Sequence, residues 1–158
     1  MAPTAAHATF ILFTATLTGS QEVPPNASTA IGLGSVLLDD VLLTITVNES
    51  WTGLMAPATN SHIHGPAPPG VSAPVIFPLA LGGGAGATSG VIPQQVFAIT
   101  LAQIIQLDAG LFYLNIHDSI YNGGEIRGQL LRSVPEPATF ALVGLGLAAL
   151  GFARRKTN

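Results

Sequence analysis

The stretch Ile31-Gly32-Leu33-Gly34-Ser35-Val36-Leu37-Leu38-Asp39-Asp40-Val41-Leu42-Leu43-Thr44-Ile45-Thr46-Val47 decides the fold class of this chain. Two apolar and threonine-rich runs, Ile31 to Leu38 and Val41 to Val47, flank Asp39-Asp40, which reads as a hairpin turn although it is a weaker signal than Asn-Gly. In the second run Val41, Leu43, Ile45 and Val47 share one face while Leu42, Thr44 and Thr46 share the other. That is the period-two alternation of a half-buried strand.

The same grammar extends in both directions. Upstream, Phe13 to Thr18 alternates and places Phe13, Ala15 and Leu17 on one face. Gln21 to Pro25 ends that strand, since two successive prolines remove ladder donors. Downstream, Trp51 and Leu54 are expected to plug one end of the structure. After His62-Ile63-His64 the prolines and glycines of Gly65 to Gly70 make a stiff connection to an apolar stretch, Val75 to Leu81. Gly82 to Gly90 is glycine-rich but lacks the Lys and following helix of a phosphate-binding loop, and reads as flexible. Thr100 is placed to cap one short helix, Leu101 to Asp108, with Gly110 as its left-handed stop. Leu111 to Asp118 and Glu125 to Leu131 form a last hairpin through Asn122-Gly123-Gly124. The expected architecture is an all-β antiparallel β-sandwich of about seven strands with one short helix.

Composition narrows function. The 158-residue chain has 8% charged residues, far below the roughly 25% of ordinary soluble domains. All five bases, Arg127, Arg132, Arg154, Arg155 and Lys156, lie in the last 32 positions, so Thr9 to Ser133 carries seven acids against two bases. A nucleic-acid partner is not expected, because phosphate binding needs a basic patch. The absence of cysteine removes disulfides, thiolate nucleophiles and cysteine zinc sites together.

The chain divides into 1–8, 9–133 and 134–158. The last segment reads Val134-Pro135-Glu136-Pro137, an apolar run from Ala138 to Ala153, then Arg154-Arg155-Lys156. Sixteen residues make roughly 24 Å of helix, somewhat short of a hydrocarbon core but able to span it with their flanks. The basic cluster is a stop that stays cytoplasmic, leaving the domain outside. Pro135-Glu136-Pro137, the apolar helix and the basic end together resemble the PEP-CTERM sorting signal. The resemblance implies recognition by the membrane protease exosortase, a Gram-negative host that produces exopolysaccharide, and removal of the transmembrane helix on processing. At the other end, Ala6-His7-Ala8 is similar to the small-residue end of a signal peptide without its charged and apolar regions. Residues 1–8 are expected to be a signal-peptide remnant or a disordered leader.

Four stretches, in order, resemble the CHRD domain first recognised in chordin: Leu17 to Pro25 (Leu-Thr-Gly-Ser-Gln-Glu-Val-Pro-Pro), His62 to Pro66 (His-Ile-His-Gly-Pro), Gly110 to His117 (Gly-Leu-Phe-Tyr-Leu-Asn-Ile-His) and Gly123 to Leu130 (Gly-Gly-Glu-Ile-Arg-Gly-Gln-Leu). Two positions depart from the family pattern: Asp118 stands for the usual Thr, and Tyr121-Asn122 for the usual Asn-Pro. The resemblance implies an extracellular sandwich of the immunoglobulin-like or copper-zinc superoxide dismutase-like kind, and it supplies no reaction.

His62 and His64 are two apart, so on a strand their rings leave one face about 7 Å apart at the backbone, close enough to converge on one ion. His117 shares a face with Tyr113 and Asn115 and is the candidate third ligand. Three neutral imidazoles suit copper or zinc, and the bland alternative is that they hydrogen-bond loop carbonyls. Arg127, nearly alone among acids, is expected to form a structural ion pair with Glu22 or Glu125. Asp118, Glu22 and Glu125 lack catalytic spacing, so no enzyme activity is expected. The sequons Asn26-Ala27-Ser28 and Asn48-Glu49-Ser50 carry little weight in a bacterium. The leading expectation is an exported, non-catalytic surface or matrix module, transiently anchored in the inner membrane, that binds exopolysaccharide or a surface protein and needs no cofactor. The alternative is a copper- or zinc-binding, redox-active protein.

Overall fold

Period-two alternation produces ten strands in the computed structural model, which describes residues 9–133. They are β1 (Phe10–Thr18), β2 (Ile31–Asp39), β3 (Thr44–Thr52), β4 (Ala58–His64), β5 (Val75–Leu79), β6 (Gly90–Val91), β7 (Gln95–Ala98), β8 (Tyr113–Asp118), β9 (Ile126–Gln129) and β10 (Leu131–Arg132), with one helix, α1 (Leu101–Asp108). All pairings are antiparallel. The expected leader over 1–8 and the apolar helix over 138–153 lie outside the described residues. Among those described, no helix is long and apolar enough to cross a membrane.

The fold is all-β as the sequence predicts, but it is one continuous sheet of ten strands in place of two sheets sharing about seven. Its order is β5-β4-β8-β9-β1-β2-β3-β6, with β7 also on β3 and β10 on β1. The two halves join where β1 meets β9 through the single pair Thr18 and Arg127. At the other side the Gln95 carboxamide spans the gap between β7 and the end of β5, accepting from Ala80 N at 2.9 Å and donating to Ala80 O at 3.0 Å. One side chain thus imitates a strand pair, and the sheet is nearly closed like a barrel. Closure protects edge groups that would otherwise template aggregation.

The turn between β2 and β3 is longer than Asp39-Asp40. The Asp39 carboxylate accepts from Val41 N and Leu42 N, and Leu43 takes φ 52°, so Val41 is exposed instead of facing the core, while Ile45 and Val47 are fully buried as expected. The glycine-rich loop is also corrected. Gly82–Gly84 form a 3-10 turn, and a Cβ on Gly84 or Gly90 would strike the Trp51 ring. Glycine therefore lets the loop pack onto the buried Trp51, whose plugging role with Leu54 matches the reading of the sequence. α1 begins on a capping box, Thr100 and Gln103 each bonding the other's backbone N–H, and ends at Gly110 with φ 70°.

Inward residues, among them Phe13, Leu17, Val36, Ile45, Ile63, Leu114, Ile116 and Ile126, make one core, each fully buried side chain contributing about 1.5–3 kcal/mol. A buried polar pair, Glu49 with Ser61, interrupts it. Glu49 follows Val47 on the inner face of β3, is 3% exposed, receives the Ser61 hydroxyl at Oε2, and has no partner at Oε1. Burial pushes its carboxyl up to about 8, against the opposing pull of the Ser61 hydrogen bond. A raised carboxyl favours the fold fully below the unfolded value near 4.5 and loses that contribution as pH climbs to about 8. Glu49→Gln is therefore expected to raise the melting temperature at pH 8 more than at pH 5. Paired melts across that range check it; an equal shift at both pH values would contradict it.

Candidate metal centre

The site grows from the pairing of β4 with β8. Their register sets His62 against Asn115, Ile63 against Leu114, His64 against Tyr113 and His117 against Asn60, with a bulge just beyond, between Asn60 and Ala58. Ile63, Leu114 and Ile116 turn inward and are fully buried, so alternation turns His62, His64, Tyr113, Asn115 and His117 to the other face. Two loops enclose that face. Residues 65–74 are tied back by Gly65 N to Pro74 O, Ala67 N to Leu111 O and by Gln129 Nε2, which donates to Ala67 O. Residues 119–124 are held by Asp118, whose Oδ1 accepts from Ile120 N and Tyr121 N. Asp118, the departure from the family pattern, thus shapes the loop beside His117.

Each loop delivers one carbonyl to one histidine. His64 Nδ1 lies 2.9 Å from Ala73 O, and His117 Nδ1 lies 2.9 Å from Asn122 O. A carbonyl only accepts, so both rings carry the proton on Nδ1 and leave Nε2 as a lone pair. His62 Nδ1 is 3.1 Å from His117 Nε2. One ligand atom from each of the three rings can be chosen so that all lie within 4.8 Å of one another. His64 Nε2 is buried and unpartnered, as is Asn115 Oδ1 on the same face. Buried polar atoms are rarely left so, and two orphaned acceptors on one face mark a place for a cation or donor. His64 and His117 thus bond loop carbonyls, His62 bonds His117, and one ring nitrogen of each converges with the others.

Burial holds all three imidazoles below the ordinary histidine value. His62 falls to about 4, by burial and then by His117 and His64. His64 and His117 are lowered by burial despite the Ala73 and Asn122 carbonyls, which pull upward. All three are therefore neutral at pH 7, and in the metal-free protein the His117 Nε2 lone pair accepts from His62 Nδ1–H. Carbonyl-oriented imidazole is also the arrangement that fixes a metal ligand's ring and raises its basicity.

The outer stack continues past the histidines. Tyr113 lies parallel to His64, ring centroids 4.9 Å apart, and its hydroxyl accepts from Ala73 N and donates to Ala73 O. Arg127 covers the other face of Tyr113 at 3.4 Å. The expected ion pair of Arg127 with Glu22 or Glu125 does not form. Arg127 Nη2 donates to Val71 O, Glu22 Oε1 accepts from Asn115 Nδ2, and Glu125 faces the opposite way to bind Ser28 Oγ and Met55 N. The cause is that Glu125 precedes β9, where strand alternation does not hold; its carboxylate anchors residue 55, as Asp118 Oδ2 anchors Ala56 N. The contributions of Ala73 and Asn122 were beyond sequence reasoning, because main-chain carbonyls leave no residue signal.

The sorting residues Pro135, Glu136 and Pro137 and the basic end Arg154, Arg155 and Lys156 lie outside the described residues. Comparison with known families gives two matches: the CHRD domain over residues 13–130 and the PEP-CTERM protein-sorting motif over residues 133–156. Neither curated proteins nor solved structures gave a match.

The geometry makes a direct prediction for nitrogen-detected NMR of the metal-free protein. His64 and His117 are expected as Nδ1–H tautomers at pH 7, with His62 still neutral at pH 6 and the other two titrating below the ordinary 6.5. Nε2–H tautomers, or titration at the ordinary 6.5, would contradict the described arrangement.

Proposed function

The chain belongs to the CHRD domain family and ends in a PEP-CTERM sorting motif, and from that premise we propose that its exported domain binds a transition metal through His62, His64 and His117. The sorting motif makes it an exosortase-sorted protein, anchored transiently in the membrane during export. The metal reading rests on one observation: three neutral imidazoles, one ring nitrogen of each within 4.8 Å of the others, two of them with the far nitrogen tied to a carbonyl.

The donor set fits. Zinc and copper both accept imidazole nitrogen at about 2.0–2.1 Å, and tetrahedral ligands at that length sit about 3.3 Å from one another. His62 and His117 are already at 3.1 Å, and with all three ligand atoms within 4.8 Å the rings would have to draw together on the ion. His64 and His117 would supply Nε2, and His62 would supply Nδ1 once its proton moves to Nε2 and its hydrogen bond to His117 gives way. Three protein ligands leave a fourth position for water or a small molecule, and with copper the centre would be redox-active. No acid–base pair stands beside it, so the proposal assigns no reaction.

A second reading, a surface or matrix module that binds polysaccharide or protein, is favoured by the exposed sheet face. The outward residues of β1, β2 and β3, such as Thr14, Thr16, Leu33, Asn48 and Ser50, bear no charge apart from Asp39 at the margin. Such a face suits contact with a neutral surface. The two readings are compatible, since the histidines lie on β4 and β8.

Metal analysis after loading with copper or zinc and exhaustive dialysis tests the first reading. The expected outcome is about one equivalent in the wild type, a clear loss for each of His62→Ala, His64→Ala and His117→Ala, and none in the triple variant. Equal metal in wild type and triple variant would sink the idea.

A further inference from the structure

Arg127 is a cation enclosed by the described residues with no carboxylate in contact. Its side chain is 2% exposed, one face lies on Tyr113, and Nη2 donates to Val71 O at 2.8 Å. The ion pair that does form among the described residues is Arg132 with Asp108, at the surface. Glu22 is near enough to feel the Arg127 charge but gives its Oε1 to Asn115 at 2.6 Å. In a domain where acids outnumber bases, a buried guanidinium without a counter-charge in contact is an unbalanced feature, because buried charges are ordinarily paired.

A cleft of about 320 Å³ opens on this group. Arg127, Glu22 and Gln129 form its polar wall, all of them buried, while Pro25 and Pro69 supply an apolar wall and Gly70 stands at the edge. Gln129 Nε2 donates to Ala67 O and Gly110 O, which orients its Oε1 as the remaining acceptor. The cleft therefore offers a fixed planar cation, a carboxyl and an amide oxygen beside hydrophobic ring faces.

We propose that this cleft binds the carboxylate of a small organic acid or of a sugar acid, with Arg127 as its counter-charge. The planar guanidinium fork matches a carboxylate's two oxygens. A phosphate is the poorer fit, since its second negative charge would find no second cation in the cleft. Burial holds the Glu22 carboxyl up at about 7 against the pull of Arg127 and the hydrogen bonds of Val23 and Asn115. It can thus present a proton to a bound anion rather than repel it. Gln129 Oε1 and the proline faces suit a hydroxyl and the C–H face of a sugar ring. The site stands apart from the proposed metal centre: Tyr113 lies between Arg127 on one face and His64 on the other.

Calorimetric titration of the full chain in detergent micelles, stripped of metal, with glucuronate, acetate, glucose and inorganic phosphate tests the proposal. Glucuronate is expected to bind at least about tenfold more tightly than glucose, the neutral sugar, as befits a charge-assisted pair. Acetate matching glucuronate would identify the carboxylate alone as the ligand; glucuronate binding more tightly would identify a sugar acid. Arg127→Lys, which keeps the charge but loses the fork, is expected to weaken binding about tenfold. Gly70→Asp is a second variant that spares the packed residues, because nothing lies within 4 Å of a Cβ there; its φ of 80° strains any side chain, Asp less than most, so an unchanged circular dichroism spectrum is its control. It places a rival carboxylate at the cleft and is expected to weaken glucuronate binding similarly. Glucose binding as well as glucuronate, phosphate binding more tightly than either acid, or both variants binding unchanged would overturn the site. The His62→Ala variant separates the two proposals: it should keep carboxylate binding whether or not it keeps metal, and carboxylate binding that vanishes with it would assign the anion to the metal centre instead.

Discussion

The register of β4 against β8 is the constraint on which the rest of the site depends. Ile63, Leu114 and Ile116 must enter the core, and a strand's side chains alternate without exception, so the residues between them are committed to the opposite face. A slip of β8 by one residue against β4 would turn Asn115 and His117 with Tyr113 into the core and expose Leu114 and Ile116. The core therefore fixes the histidine positions, and the apolar burial that stabilises the domain is the same fact that assembles the cluster. What the core cannot do is orient the rings. That falls to the two loops, which bring Ala73 O and Asn122 O to His64 and His117. Gly124 is required for one of them, since at φ 127° a Cβ would strike Asn115 Nδ2 and Glu22 Oε1.

Polar groups on this face form a graded series from enclosed to open. Asn115, Glu22 and Arg127 are buried, the histidines half-buried. Their protonation follows from that enclosure: burial lowers the histidines and raises Glu22, so each is driven toward its neutral form. Neutral imidazole is the ligand form of histidine, and a face of neutral groups around one unpaired guanidinium presents two separate polarities, one for a cation and one for an anion. Stability follows the same logic. Lowered histidines lose their favourable contribution as pH falls from about 6.5, whereas Glu49 in the core loses its own as pH rises toward about 8.

Particular residues explain which parts of this were legible in the sequence. Phe13, Ala15 and Leu17 alternate cleanly and were placed correctly, as were the Thr100 cap, the Gly110 stop and the plugging pair Trp51 and Leu54, because each carries a local signal. The strand pair β6 and β7 was missed: Gly90–Val91 and Gln95–Ala98 are too short to show a period. Closure of the sheet depends on Gln95 meeting Ala80, a contact without a local pattern. The β2–β3 turn was read too short because the Asp39 carboxylate can hold a longer loop that absorbs Val41. The His62, His64 and His117 grouping was legible from spacing and strand parity. The partner of Arg127 was not, since strand parity groups Glu125 with Arg127 while the chain before β9 turns its carboxylate toward Met55 and Ser28.

X-ray absorption at the metal edge, on protein loaded with copper or zinc, tests the central claim most directly. It reads the atoms bound to the ion rather than the amount retained. The account predicts three nitrogen neighbours at about 2.0–2.1 Å with the outer-ring scattering of three imidazoles, plus one light atom from solvent. A shell dominated by oxygen, or scattering from fewer than two imidazoles, would contradict it.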